Sequence, residues 1–245
     1  VGETIFDYTG PTEDFDWLGP DKPYSWIKTP RYKGMPMEVG PLARLAVNYA
    51  AGREGLVDLA DRSLARWQQM ADKFNNRACG LTFDSYFSTA GRMIARAIDA
   101  VQAADHMETC YNRLIENIGA GDYGVFNSSK WEPGSWPRDA QGYSLNEAPR
   151  GALAHYSHVH EHKVVNYQMV VPTTWNASPR DTRGQKSAFE AAVTGTPVAG
   201  IESSNPEMTL AIIRTIHSFD PCMACAVHLY DENGSMIHRI NINNE

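Results

Sequence analysis

Apolar positions in the first half of the chain recur with the period of an α-helix. Residues 41–52, PLARLAVNYAAG, predict a helix that begins at Pro41 and ends at Gly52. Residues 55–76 also carry apolar side chains three and four positions apart, as an amphipathic helix does. These apolar positions are 56, 59, 60, 64, 67 and 70.

A third and longer helix is predicted after Ser88, whose side chain can cap the helix N-terminus. Ile94, Ile98 and Val101 would lie on one face of this helix. The pattern continues through CYNRLIENI at 110–118. Long helices that follow one another in this way predict a helix bundle.

The pattern changes after Gly119. Residues 120–149 are rich in turn-forming residues, and residues 151–175 then alternate and become β-branched, which predicts a strand pair. Residues 1–40 are rich in Pro, Gly, Asp and aromatic residues, and they predict an irregular surface segment. Three histidines would project from one face of the predicted strand: His158, His160 and His162.

A last helix is predicted to begin at Asn205 and Pro206, with Leu210 and Ile213 facing a core. Its C-terminal end leads directly into a pair of cysteines. The predicted fold class is therefore α+β and mainly helical, with a long helix bundle and a small antiparallel sheet around 151–175.

Composition restricts the classes of function. The chain has 245 residues and a formal net charge of −7, and it has no cluster of basic residues, which argues against binding to nucleic acid. No window reaches the roughly 18 apolar residues of a membrane-spanning helix. The N-terminus, VGETIFDYTG, lacks the features of a signal peptide, and we interpret it as the interior of a longer polypeptide. Cys79 and Cys110 stand alone and are expected to be small buried side chains.

Residues 218–234, SFDPCMACAVHLYDENG, contain the spacing Cys-x-x-Cys-x-x-His. Thiolates three positions apart can bind one soft metal ion such as zinc, iron or nickel. The spacing alone allows a structural zinc site, with Cys222, Cys225, His228 and a fourth ligand. It also allows a dithiol redox centre, whose usual βαβ context is missing, or half of a metal site.

The residues around this spacing favour the half-site. SFDPCMACAVH resembles the C-terminal signature of nickel–iron hydrogenase large subunits. Three further stretches match the same family in the same order: YSWIKTPRYKGMPMEVGPLAR at 24–44, NEAPRGALAHY at 146–156 and NYQMVVPTTWNASPRD at 166–181. The resemblance covers nearly the whole chain and is greatest to uptake-type enzymes, which are membrane-bound or periplasmic.

The resemblance implies roles for residues around a nickel–iron centre whose iron carries carbon monoxide and cyanide. Cys222 would be a terminal nickel ligand, and Cys225 would bridge nickel and iron. Arg150 would lie over the metals with Pro149 beside it. Asp220 would pair with Arg150 near the open coordination position.

The resemblance also implies roles around that centre. Thr173 would donate a hydrogen bond to a cyanide. His228 would bind a nearby magnesium ion, with the carbonyl of Met169 as a second ligand. Glu38 and Lys28 would belong to the outer shell of that ion.

Heterolytic cleavage of dihydrogen needs a Lewis-acidic metal that accepts hydride and a base that accepts the proton. The candidate bases are the thiolate of Cys222 and the guanidine of Arg150. We favour the thiolate, because an arginine side chain is effectively always protonated.

Ordinary structural roles remain as alternatives for several of these residues. Arg150 could simply precede a glycine turn, and Thr173 could be a hydroxyl at a strand end. Glu38 could be a buried ion-pair partner of Arg44 or Arg31.

The histidines have structural alternatives too. The three on the predicted strand could bind zinc, but the sequence shows no acidic or cysteine partner near them, which disfavours a second metal site. His217 is expected to be a satisfied residue at a helix end.

The chain also departs from the family pattern. The Arg-x-Cys-Gly-x-Cys motif that supplies two further thiolates in the family does not occur, nor does its proton-relay glutamate. We therefore expect a partner that supplies two cysteines, namely the N-terminal half of the large subunit. Cys222 should then lie deep, at the interface with that half.

A second departure concerns the C-terminus. In this family a maturation protease cuts after the motif's histidine, which here is between His228 and Leu229. We therefore divide the chain into residues 1–228 and an extension, 229–245, that resembles the peptide removed on maturation.

The resemblance implies a catalytic large-subunit segment of a hydrogenase that passes electrons to an iron–sulfur small subunit. The alternatives are an unprocessed, metal-free precursor and a zinc-stabilised structural module. As a complex the protein is expected to be periplasmic or membrane-associated without a signal of its own, and the unprocessed form is expected to be cytoplasmic.

Overall fold

The computed structural model describes residues 25, 27–74, 80–197, 206–222, 226–230 and 236–241. Predictions for residues 1–24, and for the side chains of Cys79, Asn205 and Cys225, lie outside these ranges. The described part of the predicted irregular segment holds only an isolated β-bridge, between Tyr32 and Met35.

The first half is helical, as the sequence predicts. Helix α1 is Pro41–Ala50, α2 is Glu54–Lys73 and α3 is Thr89–Gly119. The side chain of Ser88 caps α3 by accepting a hydrogen bond from the backbone N–H of Gly91. The core of this bundle consists of Leu42, Leu45, Leu56, Ala60, Tyr86, Ala95 and Ile98.

Tyr86 lies at the centre of the bundle, on a 3₁₀ turn, Phe83–Tyr86, between α2 and α3. Its side chain is fully buried, and its hydroxyl donates a hydrogen bond of 2.8 Å to the carbonyl of Ala60. Gly91 passes so close that a Cβ atom there would lie 2.2 Å from the carbonyl oxygen of Tyr86. This contact fixes the angle at which α3 leaves the turn.

The second half of α3 projects beyond the bundle. Every residue from Val101 to Gly119 is exposed, including Val101, which we predicted to share the buried face. Cys110 is exposed as well, so the prediction of a buried side chain is wrong for it. These side chains are exposed because α3 is much longer than α1, with 31 residues against 10. No buried residue of α3 lies beyond Ile98.

The predicted antiparallel sheet is present with different limits. Strands β1 (Asp139–Ala148), β2 (Gly151–His160) and β3 (Lys163–Val170) pair in the order β1–β2–β3. The sheet begins earlier than predicted, because β1 occupies part of the supposed turn region. It also ends earlier, because Pro172–Asn176 form helix α4. Pro172 takes the first position of that helix, where a missing N–H has no cost.

The chain continues through α5 (Ala188–Thr194) and α6 (Pro206–Ser218). Ile213 is buried as predicted, whereas Leu210 is 43% exposed, so its predicted core position is wrong. A second sheet is a hairpin of β4 (Ala226–Tyr230) and β5 (Met236–Asn241), which pairs His228 with Arg239. The predicted boundary after His228 therefore falls inside β4.

The described ranges thus form a mainly helical α+β fold, and the predicted fold class is confirmed. None of the helices in these ranges is both long and apolar enough to cross a membrane.

Candidate metal centre

Cys222 follows helix α6 by a short turn. Phe219 is buried, and Asp220 adopts a left-handed backbone conformation with φ of 55°. The backbone N–H of Asp220 donates to the carbonyl of His217 at 2.9 Å, which ends the helix. His217 itself is an exposed residue in the last turn of α6.

Thr173 holds the backbone of Cys222. The N–H of Cys222 donates to Oγ1 of Thr173 at 3.1 Å, and Thr173 is only 8% exposed. Thr173 lies in the first turn of α4, so the alternative that it ends a strand is wrong. Since this hydroxyl oxygen acts as an acceptor, its own hydrogen remains available for donation to another group.

The thiol of Cys222 is free and exposed in the described part of the chain, whereas we expected it to lie deep. Thr173 contacts the backbone of Cys222, and the described residues do not enclose the side chain.

Arg150 and Asp220 form the ion pair that the resemblance implies. The Nε atom of Arg150 lies 3.2 Å from Oδ1 of Asp220 and donates to the carbonyl of Asp220 at 3.1 Å. Both side chains are partly exposed, at 42% and 37%. The structure thus brings together residues from the 146–156 stretch and from the cysteine motif.

Two glycines allow the backbone beside Arg150 to approach the segment before α1. Gly151 has φ of 131°, and a Cβ atom on it would lie 2.6 Å from the backbone nitrogen of Gly40. A Cβ atom on Gly40 would lie 2.9 Å from the carbonyl oxygen of Arg150. Asn176, buried in α4, exchanges hydrogen bonds of 2.9 Å with both the N–H and the carbonyl of Val39. Three of the four matched stretches therefore pack against one another.

Glu38 belongs to an ion pair, but not with the predicted partners. Both of its carboxylate oxygens contact Arg92, at 2.7 and 2.8 Å. The guanidinium carbon of Arg92 also lies 4.0 Å from the ring centroid of Phe219. Arg44 pairs with Asp99 at 2.7 Å, and Arg31 with Asp181 at 3.2 Å, so both carboxylates already satisfy the arginines that we considered for Glu38.

Arg96 contacts the site, although no motif in the sequence includes it. Its Nη1 atom lies 3.5 Å from Oδ2 of Asp220, and its Nη2 atom donates to the carbonyl of Ser218 at 3.0 Å. An arginine on an amphipathic helix is normally a solvated residue. The only available signal is that Arg92 and Arg96 are four positions apart, on one face of α3.

The remaining predicted residues lie elsewhere or are only partly described. Lys28 and Pro149 are exposed, and the carbonyl of Pro149 accepts a hydrogen bond of 2.8 Å from Arg44. Met169 is 49% exposed in β3. For His228 and Leu229 the structure gives the backbone pairing within β4, and Cys225 lies outside the described ranges.

The histidines on β2 have an acidic partner, contrary to the prediction. Asp139 lies 2.8 Å from His158 and 3.7 Å from His160. The hydrogen bond from His158 lowers the pKa of the Asp139 carboxyl. His162 does not share this face, because β2 ends at His160 and His162 belongs to the turn, with φ of 63°.

The donor set can be compared with the needs of a nickel–iron centre. Within the described ranges no group of three or more His, Cys, Asp or Glu side chains could hold a metal ion. Cys222 presents an exposed thiol on a fixed backbone, beside a buried hydroxyl and an arginine–aspartate pair. These residues fit one side of a thiolate-bound metal centre.

Comparison with known proteins supports this interpretation. The uptake hydrogenase large subunit of Bradyrhizobium diazoefficiens is 46% identical over 216 residues, which are 88% of this chain and 33% of that protein. The hydrogenase-1 large chain of Citrobacter freundii is 40% identical over 96% of this chain and 37% of its own length. The chain thus spans about a third of the length of these relatives.

Solved structures give the same result. The reduced Ni-Fe-Se hydrogenase from D. vulgaris Hildenborough matches with a TM-score of 0.56 and 36% identity, over 83% of this chain and 38% of that chain. The reduced, active Ni-Fe-Se hydrogenase from Desulfomicrobium baculatum matches with a TM-score of 0.58 and 32% identity. The match covers 83% of this chain and 37% of that chain. The profile of the nickel-dependent hydrogenases matches residues 1–228, so the chain belongs to the nickel-dependent hydrogenase family.

Proposed function

We propose that the chain is the catalytic segment of a hydrogenase large subunit that cleaves dihydrogen heterolytically at a nickel–iron centre. The observation that carries the proposal is the convergence of Thr173, Arg150 and Asp220 around Cys222. These residues come from three separate stretches that match the family: Thr173 accepts the backbone N–H of Cys222, and Arg150 pairs with Asp220, two residues before that cysteine.

Cys222 and Cys225 would hold the metals from this side, and two cysteines from the N-terminal half of the large subunit would complete the set. When bound, the nickel–iron centre supplies the Lewis acidity that polarises dihydrogen. The Sγ atom of Cys222 would accept the proton, because arginine is a poor base in proteins and Arg150 is engaged with Asp220. Arg150 would hold a fixed positive charge beside that thiolate.

Thr173 would donate its remaining hydroxyl hydrogen to a cyanide on the iron. A buried hydroxyl is a suitable donor for such a ligand in a site with little water. His228 and the carbonyl of Met169 would bind magnesium, and Lys28 and Glu38 would belong to its outer shell. For Glu38 this role would have to coexist with the Arg92 pair, which occupies both carboxylate oxygens.

The assembled enzyme would contain the N-terminal half of the large subunit and an iron–sulfur small subunit that accepts the electrons. It would work in the periplasm or at a membrane, which is the location that the resemblance to uptake-type enzymes implies. A maturation protease would act between His228 and Leu229.

The second candidate is an unprocessed precursor that has not yet received metal. The hairpin favours it, because Met236–Asn241, from the extension, pair with Ala226–Tyr230 in an antiparallel arrangement that has one irregularity between Leu229 and Tyr230. Residues 229, 230 and 236–241, which follow His228, therefore belong to paired strands of this chain.

An infrared spectrum and a nickel determination on the protein purified with its natural partners test these proposals. Bands from metal-bound carbonyl and cyanide, with bound nickel, are the expected result for the hydrogenase. Their absence in protein with an intact extension would favour the precursor.

Cys222→Ser provides the matching variant, and we expect it to lose nickel and hydrogen oxidation. Cys110→Ser is the control, because Cys110 is also a free exposed cysteine but lies on α3. Retention of nickel and activity in Cys222→Ser would contradict the proposed function.

A further inference from the structure

Asp220 stands between two arginines on different elements. Its Oδ1 atom is 3.2 Å from Arg150, which follows β1, and its Oδ2 atom is 3.5 Å from Arg96, which lies on α3. Each carboxylate oxygen thus has its own cationic partner. Arg150 and Asp220 belong to stretches that match the family, whereas Arg96 lies between the matched stretches 24–44 and 146–156, in residues that no motif includes.

Arg96 holds the turn before Cys222 at two points. Its Nη2 atom donates to the carbonyl of Ser218, the last residue of α6, and its Nη1 atom faces the carboxylate of Asp220. One guanidinium therefore spans the left-handed residue that redirects the chain toward Cys222. A non-glycine residue keeps such a conformation only where its surroundings determine it.

Arg92, one helical turn earlier, differs in its partners. It pairs with Glu38 and stacks on Phe219, so it supports the packing of α6 against α3. Arg96 instead contacts polar atoms of the turn itself. Arg92 therefore supports helix α6, and Arg96 supports the turn that follows it.

We propose that Arg96 is a positioning residue for the metal centre, which holds the carboxylate of Asp220 so that Arg150 and the thiol of Cys222 keep one fixed arrangement. This inference rests on the proposed function. Arg96 acts through Asp220 and has no contact with the reacting atoms.

A purely structural role has to be distinguished, because the bond to Ser218 alone would make Arg96 a cap of α6. A double-mutant cycle separates the two roles. If Arg96 acts through Asp220, its replacement has little further effect once Asp220 no longer carries a carboxylate. If Arg96 only caps α6, its replacement has the same effect in both backgrounds.

The experiment measures hydrogen oxidation by the assembled enzyme in the variants Arg96→Gln, Arg96→Lys, Asp220→Asn and the double variant Arg96→Gln/Asp220→Asn. We expect Arg96→Gln to lower kcat about 10- to 100-fold, since a small displacement of a reacting group has effects of this order. KM for hydrogen should stay within about 2-fold, because Arg96 does not contact the substrate. Arg96→Lys keeps a charge near Asp220 but cannot contact both Asp220 and Ser218, so it should restore only part of kcat.

In the Asp220→Asn background, Arg96→Gln should change kcat less than about 2-fold. Arg62→Gln is the control, because Arg62 forms an exposed salt bridge with Asp58 on α2. An equal loss of kcat in both backgrounds, or no loss in Arg96→Gln, would overturn the inference.

A second measurement does not depend on the loaded enzyme. Hydrogen–deuterium exchange of the metal-free chain should be faster at the amides of Asp220 and Cys222 in Arg96→Gln, and unchanged in Arg62→Gln. Unchanged exchange in Arg96→Gln would also overturn the inference. An unmodified protein without nickel and without hydrogen oxidation would instead refute the proposed function, and the two failures are thus distinguishable.

Discussion

At the scale of single residues, Thr173 shows how a short side chain can serve two groups. Its oxygen accepts the N–H of Cys222, and its hydrogen is left for a second acceptor. A hydroxyl can do both at once, whereas an aliphatic side chain of the same shape can do neither. Thr173 therefore provides a direct test of how the cysteine motif is held.

We expect Thr173→Val to weaken metal binding and to destabilise the turn by about 1 kcal/mol, because the N–H of Cys222 loses its partner. Nickel content and the exchange rate of the Cys222 amide measure the two effects. Thr173→Ser is the control, since it keeps the hydroxyl. Full nickel content in Thr173→Val would contradict the assigned role.

Tyr86 gives a prediction about alkaline pH. Burial raises its pKa to about 12, with smaller contributions from Asp61 and Tyr49, against an ordinary value of 10.0. Below pH 10 both the folded and the unfolded state keep the proton, so the full stability is present. Between about pH 10 and 12 the unfolded state loses the proton first, and the free energy of unfolding falls by roughly 2–3 kcal/mol.

Urea denaturation at a series of pH values from 8 to 12 measures this loss. Tyr86→Phe should be less stable at pH 8, by about 1 kcal/mol, because the buried hydrogen bond from the Tyr86 hydroxyl to the carbonyl of Ala60 is lost. The free energy of unfolding of Tyr86→Phe should also decrease less above pH 10 than that of the unmodified chain. Tyr111→Phe, at an exposed position of α3, should leave the pH dependence as it is. An identical alkaline decrease in Tyr86→Phe would refute the assignment.

At the scale of elements, the close approach of α3 to the 3₁₀ turn depends on Gly91. A Cβ atom there would overlap the backbone of Tyr86, and backbone cannot move aside as a flexible side chain does. Gly55, in the first turn of α2, has nothing within 4 Å of the corresponding position. A larger residue is therefore excluded by steric overlap at Gly91, whereas there is room for a Cβ atom at Gly55.

We expect Gly91→Ala to lower the free energy of unfolding by about 1–3 kcal/mol through overpacking. Gly55→Ala should leave it unchanged or raise it by up to about 1 kcal/mol, because alanine favours the helix. Denaturant unfolding of both variants measures the difference. Equal changes in the free energy of unfolding for the two variants would show that the contact between Gly91 and Tyr86 is not tight.

The elements also show what the sequence could predict. Helices α1 to α3 were predictable because their apolar side chains follow the helical period over many residues. Strand β1 was not, because nearly all of its residues are exposed and no alternation marks it. The site residues in matched stretches were found by resemblance, whereas Arg92 and Arg96 show their role only through contacts with Glu38, Phe219 and Asp220 that are distant in sequence.

At the scale of the whole molecule, many large apolar side chains remain exposed. Five of them form one stripe on the second half of α3, with spacings of three and four residues: Met107, Tyr111, Leu114, Ile115 and Ile118. A contiguous exposed stripe of this kind indicates a surface that a partner covers. The proposed N-terminal half of the large subunit and the small subunit are the partners that the family offers.

We expect the double variant Leu114→Lys/Ile118→Lys to reduce the yield of assembled complex, because charges would be buried against an apolar partner. The isolated chain should change in stability by less than about 0.5 kcal/mol, since both positions are exposed. Co-purification with the partner subunits measures the yield. Glu116→Gln, on the opposite face of α3, is the control. Normal assembly of the double variant would show that no partner covers the apolar stripe.

The hairpin of β4 and β5 would make the proposed maturation cut irreversible. The bond between His228 and Leu229 lies within a strand whose partner, β5, lies on the far side of the cut. Before cleavage the two strands meet as neighbours on one polypeptide, at a high effective concentration. After cleavage the same pairing needs an encounter between two molecules, and a strand pair of this size is too weak to survive dilution. If the chain is cut there, we expect the peptide to dissociate without rebinding, which would leave residues 226–228 with unpaired backbone groups that need a new partner.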